Sequence, residues 1–102
     1  NIILSSKDER SIGKWGRMHK KYLMEYRSVL YNELILRDKL YSHLVELNEQ
    51  AEERFERLIT DMKRKEGVTE ALKASDQLEW VRRMNSIRNR AKEIIVTEMI
   101  FV

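Results

Sequence analysis

A chain of 102 residues is the length of one domain, with enough apolar surface for one modest core. Charged residues make up 36% of it, Pro is absent and Gly occurs three times, so a many-turned β architecture is excluded and long, solvated helices are expected. With no Cys there is no disulfide or thiolate metal site, and no run of about 18 apolar residues marks a membrane span.

Residues 1–13 begin apolar (Ile2, Ile3, Leu4) and turn polar, which we read as an extended arm closed by Gly13. Residues 14–102 then form a single helical domain. From 14 to about 26, Trp15, Met18, Tyr22 and Tyr26 step along one face of an amphipathic helix, while Lys14, Arg17 and Lys21 share another. Gly16 inside this helix costs up to about 1 kcal/mol relative to Ala, so the helix needs tertiary support.

Ser28 is read as the N-cap of a short helix over 29–37. Val29, Leu30, Tyr31, Leu34, Ile35 and Leu36 make that helix apolar nearly all round, which predicts burial. A long third helix is expected over about 40–65. Its stripe runs Leu40, Leu44, Leu47, Ala51, Phe55, Leu58, Met62, its outer side carries Glu46, Glu49, Glu52, Glu53 and Glu56, and Gly67 closes it.

Residues 69–73 have the character of a single helical turn. Asp76 and Glu79 then stand at capping-box spacing and open the last long helix, over about 76–100, with the stripe Trp80, Met84, Ile87, Ala91, Ile94. The two long helices are predicted to pack as an antiparallel hairpin, with the two shorter helices on one side. The β-branched tail 96–102 is read as helix to about Ile100, with pairing as a strand against residues 2–4 the alternative.

Charge is distributed unevenly. Residues 1–27 hold seven basic and three acidic groups, 28–62 four and eight, and 63–102 nine and six. Basic ends flank an acidic middle, a pattern that suits polyanion binding and suits internal or intersubunit pairing equally.

No catalytic constellation is visible, and the expectation is that this is not an enzyme. The histidines His19 and His43 are read as surface or capping groups, because His43 with Glu46 supplies only two ligands of a metal site. Three scattered Gly build no phosphate loop, and no Ser–His–acid arrangement is suggested. No cofactor and no small-molecule substrate are expected.

Two binding readings remain. Lys14, Arg17, Lys20 and Lys21 with Arg82, Arg83, Arg88 and Arg90 are the candidate nucleic-acid contacts, since guanidinium and ammonium groups neutralise phosphates. Against this, Glu79, Glu93 and Glu98 interleave with the basic groups of the last helix, Trp15 has core spacing, and a helix-turn-helix would use the nearly uncharged 29–37 as its reading helix. The other reading is helix-mediated association, because two long amphipathic helices and an apolar tail leave apolar surface to cover, with a symmetric dimer as its usual form.

Four strings carry a resemblance. Ile12-Gly13-Lys14-Trp15-Gly16-Arg17, Val29-Leu30-Tyr31, Gly67-Val68-Thr69-Glu70-Ala71-Leu72-Lys73 and Glu79-Trp80-Val81-Arg82-Arg83-Met84-Asn85-Ser86-Ile87-Arg88 keep the order and spacing of the transposon-encoded TnpV family of bacterial mobile elements, which the chain resembles along nearly its whole length. Members of that family often carry Pro where this chain has Ser5, Ser11, Ser28 and Ser42, residues suited to loop-to-helix junctions. Members extend further upstream and this chain opens on Asn1 rather than Met, so residues before Asn1 are expected. The resemblance implies carriage on a transposon alongside recombination proteins, and it supplies no catalytic residues. With no catalytic motif and no membrane run, the expectation is a cytoplasmic, non-enzymatic accessory protein that binds DNA, the recombination machinery or itself. The alternative is a homodimeric interaction module that does not touch nucleic acid.

Overall fold

A computed structural model describes the backbone of residues 2–102 and the side chains of residues 12–102. The order of elements is α1 (Ile2–Tyr26), α2 (Ser28–Leu36), α3 (Leu40–Glu66), α4 (Glu70–Ser75) and α5 (Gln77–Ile95), closed by a π-helical turn, Val96–Ile100. The described residues form no strand, so the fold is all-α and the tail does not pair with residues 2–4. Among them, no helix is long and apolar enough to cross a membrane.

The expected hairpin is present: α3 and α5 pack together, with α1 and the π turn at one end of the contact and α4 at the other. Two clusters of buried residues fill it. Trp15, Ala51, Ile95 and Ile100 form the first, flanked by Met18, Leu47, Phe55 and Leu58. Val68, Met84 and Ile87 form the second, with Ile59, Met62, Leu72 and Trp80 against them. The molecule is correspondingly long, 55 × 25 × 17 Å.

The first helix begins at Ile2, where the sequence suggested an extended arm, and is two helical segments meeting at Gly13 (φ 85°, ψ 176°). That conformation is essentially closed to residues with a Cβ. A helix that restarts needs acceptors for its first amides. Here a neighbouring helix supplies one: Oδ1 of Asn48 in α3 accepts from the Trp15 amide at 3.0 Å and from the Gly16 amide at 3.1 Å. A Cβ on Gly13 would lie 2.5 Å from Asn48 Nδ2, and one on Gly16 would overlap Ile12 Cγ2 and stand 3.0 Å from the Leu44 carbonyl. Gly16 therefore lets α1 approach the α3 backbone, which is the tertiary support its helix needed.

The remaining ends follow local rules. Gly67 (φ 67°) closes α3 in a Schellman arrangement, with Val68 N–H donating to Lys63 O at 2.9 Å and Gly67 N–H to Arg64 O at 3.4 Å. Thr69 caps α4 by accepting from the Leu72 amide. Asp76 caps α5 by accepting from the Glu79 amide at 3.2 Å. The return half of that capping box is not made: the Glu79 carboxylate faces Arg83 at 2.8 Å and Arg82 at 3.6 Å instead.

Two expectations about α2 are corrected. Arg27 precedes the helix, no side chain caps it, and Ser28 is its first residue rather than its cap. More consequentially, α2 buries none of its residues: Val29 is 81% exposed and Leu36 86%. An apolar circumference shows that a helix has no polar side, and it does not show that the rest of the chain can cover it. Here α1 and α3 cover only the side bearing Leu30, Tyr31 and Leu34, which are half-buried.

Candidate functional site

The exposed side of α2 continues into a groove. In α1, Met18, Tyr22 and Tyr26 recur every four residues and so line one side of the helix. The π turn brings Phe101 against them, with its ring 5.3 Å from that of Tyr22 and nearly parallel to it. Tyr26 packs on Tyr22 at 5.4 Å. These side chains, with Lys21 and Glu25, enclose a groove of about 620 Å³. A second hollow, lined by Tyr26, Arg27, Ser28, Val29, Leu30 and Glu33, shares Tyr26 with it. One apolar surface thus runs from Phe101 through Tyr26, itself 69% exposed, onto α2. Arg27 fixes the end of the chain beside it by donating to the Val102 carbonyl at 3.2 Å.

Behind the groove lies a polar pair in the core. His19 is 3% exposed, not a surface group as its sequence context suggested. Its Nδ1 is 2.8 Å from the Ile100 carbonyl, and its Nε2 is 3.2 Å from Nε2 of His43. A carbonyl can only accept, so Nδ1 of His19 carries the proton and Nε2 is left to accept from the Nε2–H of His43. Burial holds the His19 pKa below 6.5, and the charges of His43 and Arg27 act in the same direction, against the opposing effect of the Ile100 hydrogen bond. Both ring nitrogens of His19 are therefore engaged. Among the described residues, no three His, Asp or Glu side chains converge as metal ligands would.

The candidate nucleic-acid contacts fall into two groups. Lys14, Arg17 and Lys21 lie exposed along one side of α1, with Lys20 half-buried next to them. The Lys14 ammonium also sits 4.8 Å from the Trp15 ring and 5.4 Å from that of Phe55. Trp15 itself is fully buried and donates through Nε1 to Glu52 at 2.9 Å, so it is a core residue and offers no face to a base.

In α5 three of the four arginines are turned toward carboxylates. Arg90 makes a two-pronged contact with Glu66, at 2.7 and 2.9 Å, and lowers the pKa of that carboxyl chiefly through this hydrogen bond. Arg83 donates to Glu79 and, at 3.3 Å, to the Glu66 carbonyl. Arg82 stands near Glu79, and Arg88 is exposed. Glu52, the partner of Trp15, and Glu66, the partner of Arg90, are 14 residues apart on α3, or about 21 Å at 1.5 Å per residue. The fold places the two basic groups at different ends of the hairpin and does not merge them into one patch.

A family model described as transposon-encoded protein TnpV matches residues 1–100. No curated protein and no solved structure matches the chain.

Proposed function

Because the chain belongs to the family of transposon-encoded TnpV proteins, we propose that it is a non-enzymatic accessory protein, acting in the cytoplasm, that works by docking other proteins of its mobile element. The contact is the apolar surface running from Phe101 and Tyr26 onto α2. The exposure of Val29 and Leu36 on a helix in which six of nine residues are aliphatic or aromatic carries this reading. Covering one such aliphatic side chain contributes about 1.5–3 kcal/mol, so a handful suffices for a specific complex. The non-enzymatic part is supported by the engagement of both His19 nitrogens in the fold.

The test is co-purification of the chain with the other proteins encoded on its transposon, wild type against Leu36→Glu and Val29→Asp. Both positions are exposed, so the variants should fold. Wild type should retain a partner that the variants lose, and equal retention by all three would sink the proposal.

A second reading, duplex binding, is favoured by the alignment of exposed Lys14, Arg17 and Lys21 on one side of α1. It predicts a transposon-end affinity that falls steeply with salt, at roughly 0.9 log unit per contacted phosphate for each tenfold rise in salt. Absence of binding at low salt would remove it.

A further inference from the structure

The occupant of the groove can be argued from its rim. Lys21 and Glu25 line the groove four residues apart on α1, both on the same side of the Met18–Tyr22–Tyr26 stripe. On the exposed side of α2, Val29 and Leu36 stand seven residues apart, about 10.5 Å along the axis. Met18 and Tyr26, at the two ends of the groove floor, are eight apart, about 12 Å. Flanking the α2 pair on one side are Glu33 and Arg37, again four residues apart. They face each other across 3.9 Å and are solvent-exposed, an arrangement that contributes little and is easily redirected.

The charges on the two helices have the same spacing and the opposite order. Along α1 the sequence is positive then negative; along α2 it is negative then positive. Laying α2 parallel to α1 sets each charge against its opposite, and laying it antiparallel sets like against like twice. An apolar pair that fits the length of an apolar floor thus comes with matching charges at its edge.

We infer that the groove is filled by α2 of a second copy of this chain, laid parallel to α1. Val29 and Leu36 of the partner subunit lie over the floor, with Glu33 of the partner subunit against Lys21 and Arg37 of the partner subunit against Glu25. The arrangement is reciprocal, so a two-fold axis fills both grooves and covers both α2 helices. This rests on the docking role of the surface proposed above and makes a second copy its occupant in the free protein, which another transposon protein would have to displace.

The experiment is sedimentation equilibrium of the full chain over a range of concentrations, with circular dichroism to confirm that each variant folds. Wild type should run as a dimer. Leu36→Glu should raise the dissociation constant at least about tenfold, a loss of about 1.4 kcal/mol. Lys21→Glu and Glu33→Lys should each weaken the dimer, and the two combined should restore it, because the exchanged charges again meet their opposites. A wild type that stays monomeric overturns self-association while leaving docking of other transposon proteins to the co-purification test. A dimer indifferent to Leu36→Glu overturns the use of this surface between copies. A dimer weakened by Leu36→Glu but not restored by the double exchange overturns the parallel register.

Discussion

His19 and His43 meet Nε2 to Nε2 at 3.2 Å, with His19 anchored on its other side by the Ile100 carbonyl. The contact ties α1 to α3 and to the closing turn at once, and burial favours the neutral form of His19 that makes it. The unfolded chain takes up a proton near pH 6.5 that the folded chain resists, so the unfolded state binds more protons as the pH falls below that value. The contribution of neutral His19 is complete above about pH 6.5 and is lost as the pH drops toward its depressed folded value. Urea melts at pH 7.5 and 5.5 should show wild type weaker at the lower pH. His19→Gln, which keeps a donor and an acceptor but does not titrate, should show a smaller difference; an unchanged one would place the pH dependence elsewhere.

Asn48 acts on α1 as a cap supplied across a helix interface. Asn48→Ala removes the acceptor for the Trp15 and Gly16 amides and is expected to cost about 1–2 kcal/mol. Gly13→Ala should cost about 1–3 kcal/mol from backbone conformation alone, with its close approach to Asn48 added. Combined, the two should cost less than their sum, since both disturb the same junction. Chemical denaturation of the single and double variants checks this.

The two tryptophans should respond differently to replacement by Phe. Trp15 is fully buried and its Nε1–H is bonded to Glu52. Trp15→Phe loses that bond and leaves a void in the first cluster, so a marked fall in Tm is expected. Trp80 Nε1 is buried with no hydrogen-bond partner. An orphaned donor costs about 1–3 kcal/mol, which offsets the smaller ring's lost burial. Trp80→Phe should therefore melt close to wild type, and equal losses at both positions would contradict the difference in bonding.

On the duplex-binding reading the basic residues should not contribute equally. Neutralising Lys14 and Lys21 to Gln should flatten the salt dependence by about 2 in slope. Arg83→Gln with Arg90→Gln should change it little, because Glu79 and Glu66 already hold those guanidiniums. Binding isotherms at several salt concentrations separate the two cases.

Much of the architecture was legible because helical periodicity is a property of the residues themselves. The steps from Leu40 to Met62 and from Trp80 to Ile94 predicted the hairpin, and Gly67 its turn. What was not legible depends on which surfaces meet. The all-round apolarity of α2 was read as burial, although α1 and α3 reach only one side of it. Asn48 had a signal that went unused: four residues after Leu44 and three before Ala51, it is a polar residue on the buried side of α3. His19 likewise sits one position from Met18 and four from Trp15, at the margin of the α1 stripe. The groove needed Phe101 brought back over α1, which no local pattern announces.

The closing turn carries one consequence of its own. Phe101 N–H donates to Val96 O at 2.9 Å, five residues back, so the turn holds one residue more than an α-helix would fit in that length. Removing a single residue from 97–99 would let the turn close as α with the same donor and acceptor, leaving Phe101 nearly in place. Closing as α with every residue kept would instead swing Phe101 by about 100° around the helix axis. With that swing the groove would lose its wall and His19 its acceptor together. Change in this segment is thus counted in residues as well as in identities: loss of one residue from 97–99 should be absorbed, and a one-residue insertion should abolish the groove.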